Sequence, residues 1–352
     1  MIAAFDKEKY SRSSGLELLR IISIWGIILM HSFGVFYGDA TGANLYAGLA
    51  INTLFNCGVS CFMLISGYFG IHPSVKKTVM LWITMVIYSL AAYIYSIASG
   101  VVPFTMGGLK CAILPVSTGI FWYMTVYFVL MVLALPIQKL TQALSQKQFF
   151  FMLVAMLVLF SLIPTVFTMR LVGNSGKNIV SMLMVYFIGR YIGRFYNQCR
   201  FRWWGLLALA GIVAGLALNL IKTYTENGMV GVCAPFAEDD SLIIVYCSIC
   251  IFMMFRKMSF KNTAINFIAA GVPGIYMLEQ LGRNIGNSIV DWNSVPANRI
   301  IITLVIYSTV IFVAGFAFDF VKRVILDTPI AWISGKCELL AEKIWEKVPF
   351  EK

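Results

Sequence analysis

Apolar runs recur along the chain from Leu16 to Phe320, separated by short segments in which charged residues, Asn and Pro collect. A helix needs roughly 20 apolar residues to cross a hydrocarbon core of about 30 Å. Runs approaching that length lie at Leu16 to Phe36, Leu45 to Gly70, Val79 to Val101, Gly119 to Leu135, Phe149 to Phe167, Ile179 to Gly193, Trp203 to Ile221, Leu242 to Phe255, Ala264 to Leu281 and Ile300 to Phe320. About ten transmembrane helices are therefore predicted. The two-residue alternation of a lipid-facing strand is missing, which argues for an all-α polytopic membrane protein over a barrel. The first run is full length and no small-residue cleavage site follows it, so it is expected to stay as a helix and not to act as a signal peptide.

The composition agrees: 60% hydrophobic and 12% charged residues, with a mean hydropathy of +0.83, cannot furnish a water-facing surface. No connecting segment is long enough to fold alone. The longest exceptions are a loop from Lys222 to Asp240, carrying Glu226, Glu238, Asp239 and Asp240, and a tail after Phe320. In the tail, Ile330, Ile333, Leu339, Leu340, Ile344 and Val348 are interleaved with Lys and Glu, as in a helix lying on the inner membrane surface. This divides the chain into a membrane domain, residues 1–321, and an amphipathic cytoplasmic tail, residues 322–352. No internal repeat is evident, which weighs against transporters built on inverted repeats.

Charge orients the helices, because cytoplasmic loops collect Lys and Arg. With the N-terminus inside, the inner segments hold fifteen basic residues, among them Lys7, Lys9, Arg12, Arg200, Arg256 and Lys257. The outer segments hold six: Lys110, Arg170, Lys177, Lys222, Arg283 and Arg299. Both termini are thus expected in the cytoplasm. This asymmetry and the attraction to anionic headgroups account for the net charge of +11, so no nucleic-acid partner is inferred. Eight cysteines include a Cys247–Cys250 pair and a Cys57–Cys61 pair, but both lie in apolar runs without a second pair to complete four ligands. They are read as small packing residues, and no metal is expected.

An ionisable side chain in a lipid-embedded helix is costly and usually functional. The first run, SGLELLRIISIWGIILMH, holds Glu17, Arg20 and His31. Eleven residues make about three turns, so Arg20 and His31 project from one face about 16 Å apart along the axis. Glu17 lies one turn before Arg20 and can pair with it. A polar stripe running from the inner edge into the outer half of the membrane is expected. Arg20 also suits a snorkelling anchor, and His31 a hydrogen bond between helices. Yet a buried imidazole is also the natural general base. His72, in a charged inner loop, reads as a surface residue.

An Arg, ten residues and a His in the first span, within SGLELLRIISIWGIILMH, resembles the membrane-bound acyltransferase-3 family, whose members O-acylate bacterial glycans. FMLISGYFG at Phe62 to Gly70 is similar to the family's SGF or SGY segment. GIFWYMTVYF at Gly119 to Phe128 is similar to its aromatic fourth helix, and GIYMLEQ at Gly274 to Gln280 to its GIYLIH segment. Where many relatives carry His after the apolar pair, this chain has Glu279. Glu279 is either a second catalytic group facing His31 or a structural partner of Arg283 one turn on.

The resemblance implies a multi-pass O-acetyltransferase of the bacterial cytoplasmic membrane, with acetyl-CoA as donor and an envelope glycan or its lipid-linked precursor as acceptor. On that reading His31 is the base and Arg20, held by Glu17, seats the donor. Arg190 and Arg194 are further phosphate contacts, or ordinary positive-inside anchors. Trp122, Tyr123 and Tyr127 are candidates for the acceptor wall, and equally for an interfacial aromatic belt. A secondary transporter or flippase for a polysaccharide precursor would use the same ionisable groups for proton coupling.

Overall fold

The computed structural model describes residues 13–36, 38–167, 169–196 and 201–347. Among these residues there are only helices, turns and loops. The helices are α1 (Ser14–Phe33), α2 (Gly42–Phe55), α3 (Cys57–Phe69), α4 (Val75–Ala98), α5 (Met106–Ile113), α6 (Pro115–Thr118), α7 (Trp122–Val132), α8 (Ala134–Ala143), α9 (Gln146–Leu157), α10 (Ile163–Phe167), α11 (Ile179–Phe195), α12 (Trp204–Asn227), α13 (Leu242–Arg256), α14 (Thr263–Ala269), α15 (Val272–Ile289) and α16 (Ile300–Lys347). Each apolar run falls on one helix or on a consecutive pair. Among the described residues six helical stretches are long and apolar enough to cross a membrane, or seven if the bent pair α7 and α8 is one span. The chain is a multi-pass membrane protein. Of the other runs, those on α11 and α13 form helices of only 17 and 15 residues.

The departures from ten uniform spans have local causes. Pro136 has no N–H to continue the ladder from α7, and the α7–α8 pair bends by 66°. Pro164 has the same defect, and the preceding turn, Val158–Leu162, widens to a π-helix that absorbs it. The predicted ninth span is broken between α14 and α15, where Gly271 precedes Pro273 near the start of the second helix. The boundary drawn after residue 321 lies inside α16, a continuous 48-residue helix with Pro329 in its interior. Its far end docks on the start of α4, where Glu338 Oε1 accepts from the Ser74 hydroxyl (3.4 Å) and the Lys76 amide (3.3 Å). Lys7, Lys9, Arg12, Arg200 and Val348, used in the charge and tail arguments, lie outside the described residues.

The helices pack around α1, which touches α2, α3, α13, α14, α15 and α16. A Cβ on Gly67 of α3 would stand 2.0 Å from the Tyr186 carbonyl oxygen of α11, and one on Gly189 would stand 2.3 Å from the Leu64 carbonyl. The two backbones therefore touch, as small residues permit in lipid, where dispersion and not water exclusion holds helices together. One end of the bundle gathers the loops before α2, α11 and α13: the Gly231 amide donates to the Ala40 carbonyl (2.9 Å), and Arg170 Nε to Asp240 (2.9 Å). The opposite end gathers the start of α1 and the segment before α14, joined by the Asn262 amide donating to Ser14 Oγ (2.8 Å). We call these the His31 end and the Ser14 end.

Candidate active site

His31 sits in the last turn of α1, and α15 carries Glu279 and Arg283 past it. His31 Nδ1 lies 3.1 Å from Glu279 Oε1. An ionised carboxylate only accepts, so the proton must be on Nδ1, leaving Nε2 as the basic nitrogen. Arg283 Nε donates to the other carboxylate oxygen at 2.8 Å, and its Nη2 to Oε1 at 3.3 Å. Glu279, 6% exposed, pairs with Arg283 and also with His31. The Tyr307 hydroxyl of α16 is within reach of the Arg283 carbonyl (2.9 Å) and of Asn287 Oδ1 (2.8 Å), which fixes this part of α15. His31 and Arg283 open on a cavity of about 470 Å³, lined also by Asn52, Asn56, Lys177 and Asp239.

The loop from Gly228 to Ser241 closes that cavity and is held by buried polar side chains. Asn219 of α12 accepts from the Phe236 amide (3.0 Å) and donates to Thr53 of α2 (3.1 Å). Thr223 donates to the Cys233 carbonyl (2.9 Å), and Asn56 donates to the Ala237 carbonyl. Gly176, at φ +84°, presses on the same loop: a Cβ there would stand 2.4 Å from the Asp240 amide nitrogen. Arg170 pairs with Asp240 and with Glu238. Asp239 is 1% exposed, and no hydrogen-bond donor of the described residues reaches either carboxylate oxygen. Burial pushes its carboxyl up to about 7, with Lys177 opposing the rise and Asp240 adding to it.

Arg20 and His31 do not share a cavity. Arg20 pairs with the buried Glu17 (3.2 Å) and lines a second cavity of about 280 Å³ with Phe62, Ser66, Tyr123, Tyr127 and Tyr276. Tyr123 and Tyr276 meet edge to face at 5.9 Å, and the Tyr276 hydroxyl accepts the Tyr123 amide (3.2 Å). The stripe along α1 is interrupted between the two sites, because Ile24 and Ile28 are packed there in the cluster of Ile275, and Ile27 is packed beside Gly58 of α3. Three apolar side chains fill the middle of the expected polar stripe. Tyr123 and Tyr127 consequently stand beside Arg20 and not beside His31, while Trp122 packs on Tyr123 (5.9 Å) outside the cavity lining.

Arg190 lies against Gly70, its Nη1 3.0 Å from where a Cβ would be, near His72. Arg194 donates to the Thr141, Gln142 and Leu144 carbonyls, satisfying the end of α8, and lies over the Phe195 ring at 4.9 Å. Neither lines either cavity. Among the described residues no group of His, Cys, Asp and Glu is arranged to hold a metal ion. Sequence reasoning passed over Arg283 as more than a structural partner and Asp239 as more than one acid of its loop, and did not single out Asn52, Asn56 or Tyr276. Asp239 carried a weak signal, lying two residues before Ser241, whose side chain caps α13.

Comparison with protein families matches residues 13–319 to the acyltransferase domain of the acyltransferase-3 family, and the chain belongs to that family. With its apolar helices, this makes it a membrane acyltransferase. No curated protein and no solved structure matches the chain.

Proposed function

We propose that the protein is an O-acetyltransferase of the bacterial cytoplasmic membrane, spanning it about ten times with both termini inside, that moves an acetyl group from acetyl-CoA to a hydroxyl of an envelope polysaccharide or its lipid-linked precursor. One observation carries this reading: His31 and Arg283, both held by Glu279, line a polar cavity at one end of the bundle, while Arg20, held by Glu17, lines a separate aromatic cavity nearer the other. The Arg20 cavity takes the donor and the His31 cavity the acceptor. Positive-inside charge puts the Ser14 end in the cytoplasm, where acetyl-CoA is made.

Nε2 of His31 takes the proton of the acceptor hydroxyl as its oxygen attacks the thioester carbonyl. Glu279 holds the ring in the tautomer that leaves Nε2 free and stabilises the imidazolium that forms. Arg283, in the same cavity, offsets the charge gathering on the carbonyl oxygen. Collapse of the tetrahedral intermediate breaks the carbon–sulfur bond, and the departing thiolate recovers the proton from His31. Tyr123, Tyr127 and Tyr276 line the donor's path, a role that replaces the acceptor wall expected of the first two. Arg190, beside the Ser14-end segment that holds His72, remains a candidate contact for donor phosphates, whereas the carbonyls around Arg194 already occupy it.

Purified protein in nanodiscs should release coenzyme A from acetyl-CoA in the presence of acceptor. His31→Ala should remain folded and lower the release by about 10²- to 10⁴-fold, the usual contribution of general-base catalysis. Flux of a lipid-linked sugar across the bilayer without release of coenzyme A would favour the transporter instead.

A further inference from the structure

Asp239 stands out because a carboxyl group without a partner is the least expected occupant of a buried site. Buried polar groups are nearly always hydrogen-bonded, and an exception calls for an explanation. Most polar groups of its loop are engaged: Arg170 takes Asp240 and Glu238, Asn219 fixes Phe236, and Asn56 fixes Ala237, while Lys177 acts on Asp239 through charge without a hydrogen bond to it. Gly176 is what lets the backbone come close enough to enclose the side chain. The loop is thus built to hold Asp239 in place at the wall of the cavity that contains His31 and Arg283.

We propose that Asp239 is an acceptor-anchoring residue: its carboxylate accepts hydrogen bonds from sugar hydroxyls and, beside Asn52 and Asn56, sets which hydroxyl is presented to His31. The proposal rests on the acyltransferase reading for the last step and on the geometry alone for binding. The ligand class follows from the donors and acceptors. Two carboxylate oxygens match adjacent hydroxyls of a pyranose, and charge-assisted bonds of this kind are stronger than those between neutral groups. A cationic ligand fits less well, because Lys177 and Arg283 line the same wall. Ionisation matters too. With the carboxyl pushed up to about 7, mainly by burial, a larger fraction accepts hydroxyl protons at pH 8 than at pH 6, in the combined field of Lys177, Asp240, Glu238, Arg170, Arg283 and His31.

The test uses the full chain in nanodiscs and a panel of methyl glucopyranoside, methyl galactopyranoside, methyl mannopyranoside and methyl rhamnopyranoside, with equilibrium binding measured in the absence of donor. Wild type should bind at least one of them. Asp239→Ala should weaken that binding by about 10- to 100-fold, the loss of a charged hydrogen bond, and Asp239→Asn by less. For acetyl transfer to the same sugar, the acceptor KM should rise in parallel while the KM for acetyl-CoA stays within about twofold. If no sugar in the panel binds to wild type, or if both variants bind as wild type does, Asp239 is not an anchor. Asp239-dependent binding without acetyl transfer would leave the anchor standing and refute the acetyltransferase reading.

Discussion

Replacing Asp239 by Asn should make the protein more stable at pH 8, although it removes a side chain proposed to bind substrate. The unfolded carboxyl loses its proton near 3.8 and the folded one near 7. Between these values the unfolded chain has released a proton that the folded chain still holds, so stability falls as pH rises through that window, and the full penalty stands above pH 7. At pH 8 this amounts to about 4 kcal/mol, and at pH 5 to about 1.5 kcal/mol. Partial opening in detergent recovers only part of this, so the Asn variant should gain about 1 to 3 kcal/mol at pH 8 and about half of that or less at pH 5. A thiol-reactive dye offers the assay, because Cys57, Cys61 and Cys247 are all buried and report opening of the bundle. For a chain of this size the gain corresponds to a rise of about 1 to 4 °C in Tm at pH 8. A carboxylate that merely serves as a structural partner of Lys177 gives the opposite sign. If Asp239→Asn lowers Tm at pH 8, the site is a salt bridge, and its lack of a hydrogen-bond partner has no bearing on binding.

Glu279→Gln should lower kcat by about 10- to 10³-fold with a modest change in acceptor KM, since the amide no longer fixes the Nδ1 tautomer and leaves Arg283 without its carboxylate; full activity across pH would make the residue idle in turnover. Arg20→Ala should raise the KM for acetyl-CoA as well as lower the rate, and Arg20→Lys should restore only part of it, which kinetics with varied donor will read; an unchanged donor KM would make Arg20 an anchor. Tags at residues 3 and 350 should be accessible only from the cytoplasm, and a tag at Gly228 only from outside, tested with impermeant reagents on whole cells and inverted vesicles; an external C-terminal tag would overturn the proposed orientation.

The helices were legible because lipid imposes a simple demand. Every backbone group must be bonded within its own segment, so length and apolarity mark the segment directly. Boundaries of the runs at Trp203, Leu242 and Ile300 fall within a residue of the helices there. What stayed hidden was decided by tertiary contact. The run from Phe149 to Phe167 did not reveal that α9 and α10 are joined before Pro164 through a π turn at Val158–Leu162. Likewise, the amphipathic look of residues 330–344 does not reveal that Ile330 and Ser334 become buried or that Glu338 meets the start of α4.

The site was legible to the extent that single residues were out of place. Arg20, His31 and Glu279 announce themselves because each is ionisable within an apolar run, and the spacing of Arg20 and His31 fixes their common face. The spacing could not tell what lies between them. Ile24, Ile27 and Ile28 fill the gap, and this apolar barrier is itself informative about mechanism. The two ends of the stripe are about 16 Å apart, so no small acyl donor bound at Arg20 could present its carbonyl to His31. A donor whose anionic head and reactive thioester sit at opposite ends of a long flexible arm could, and acetyl-CoA has that form. Such an arm must pass the Tyr123 and Tyr276 pair, which lines the Arg20 cavity one turn below Glu279. On that reading the same apolar packing would keep water from linking the two cavities and limit hydrolysis of the thioester. On the proposed function, the break in the polar stripe would let one bundle hold a cytoplasmic donor and an external acceptor without joining the two solvents.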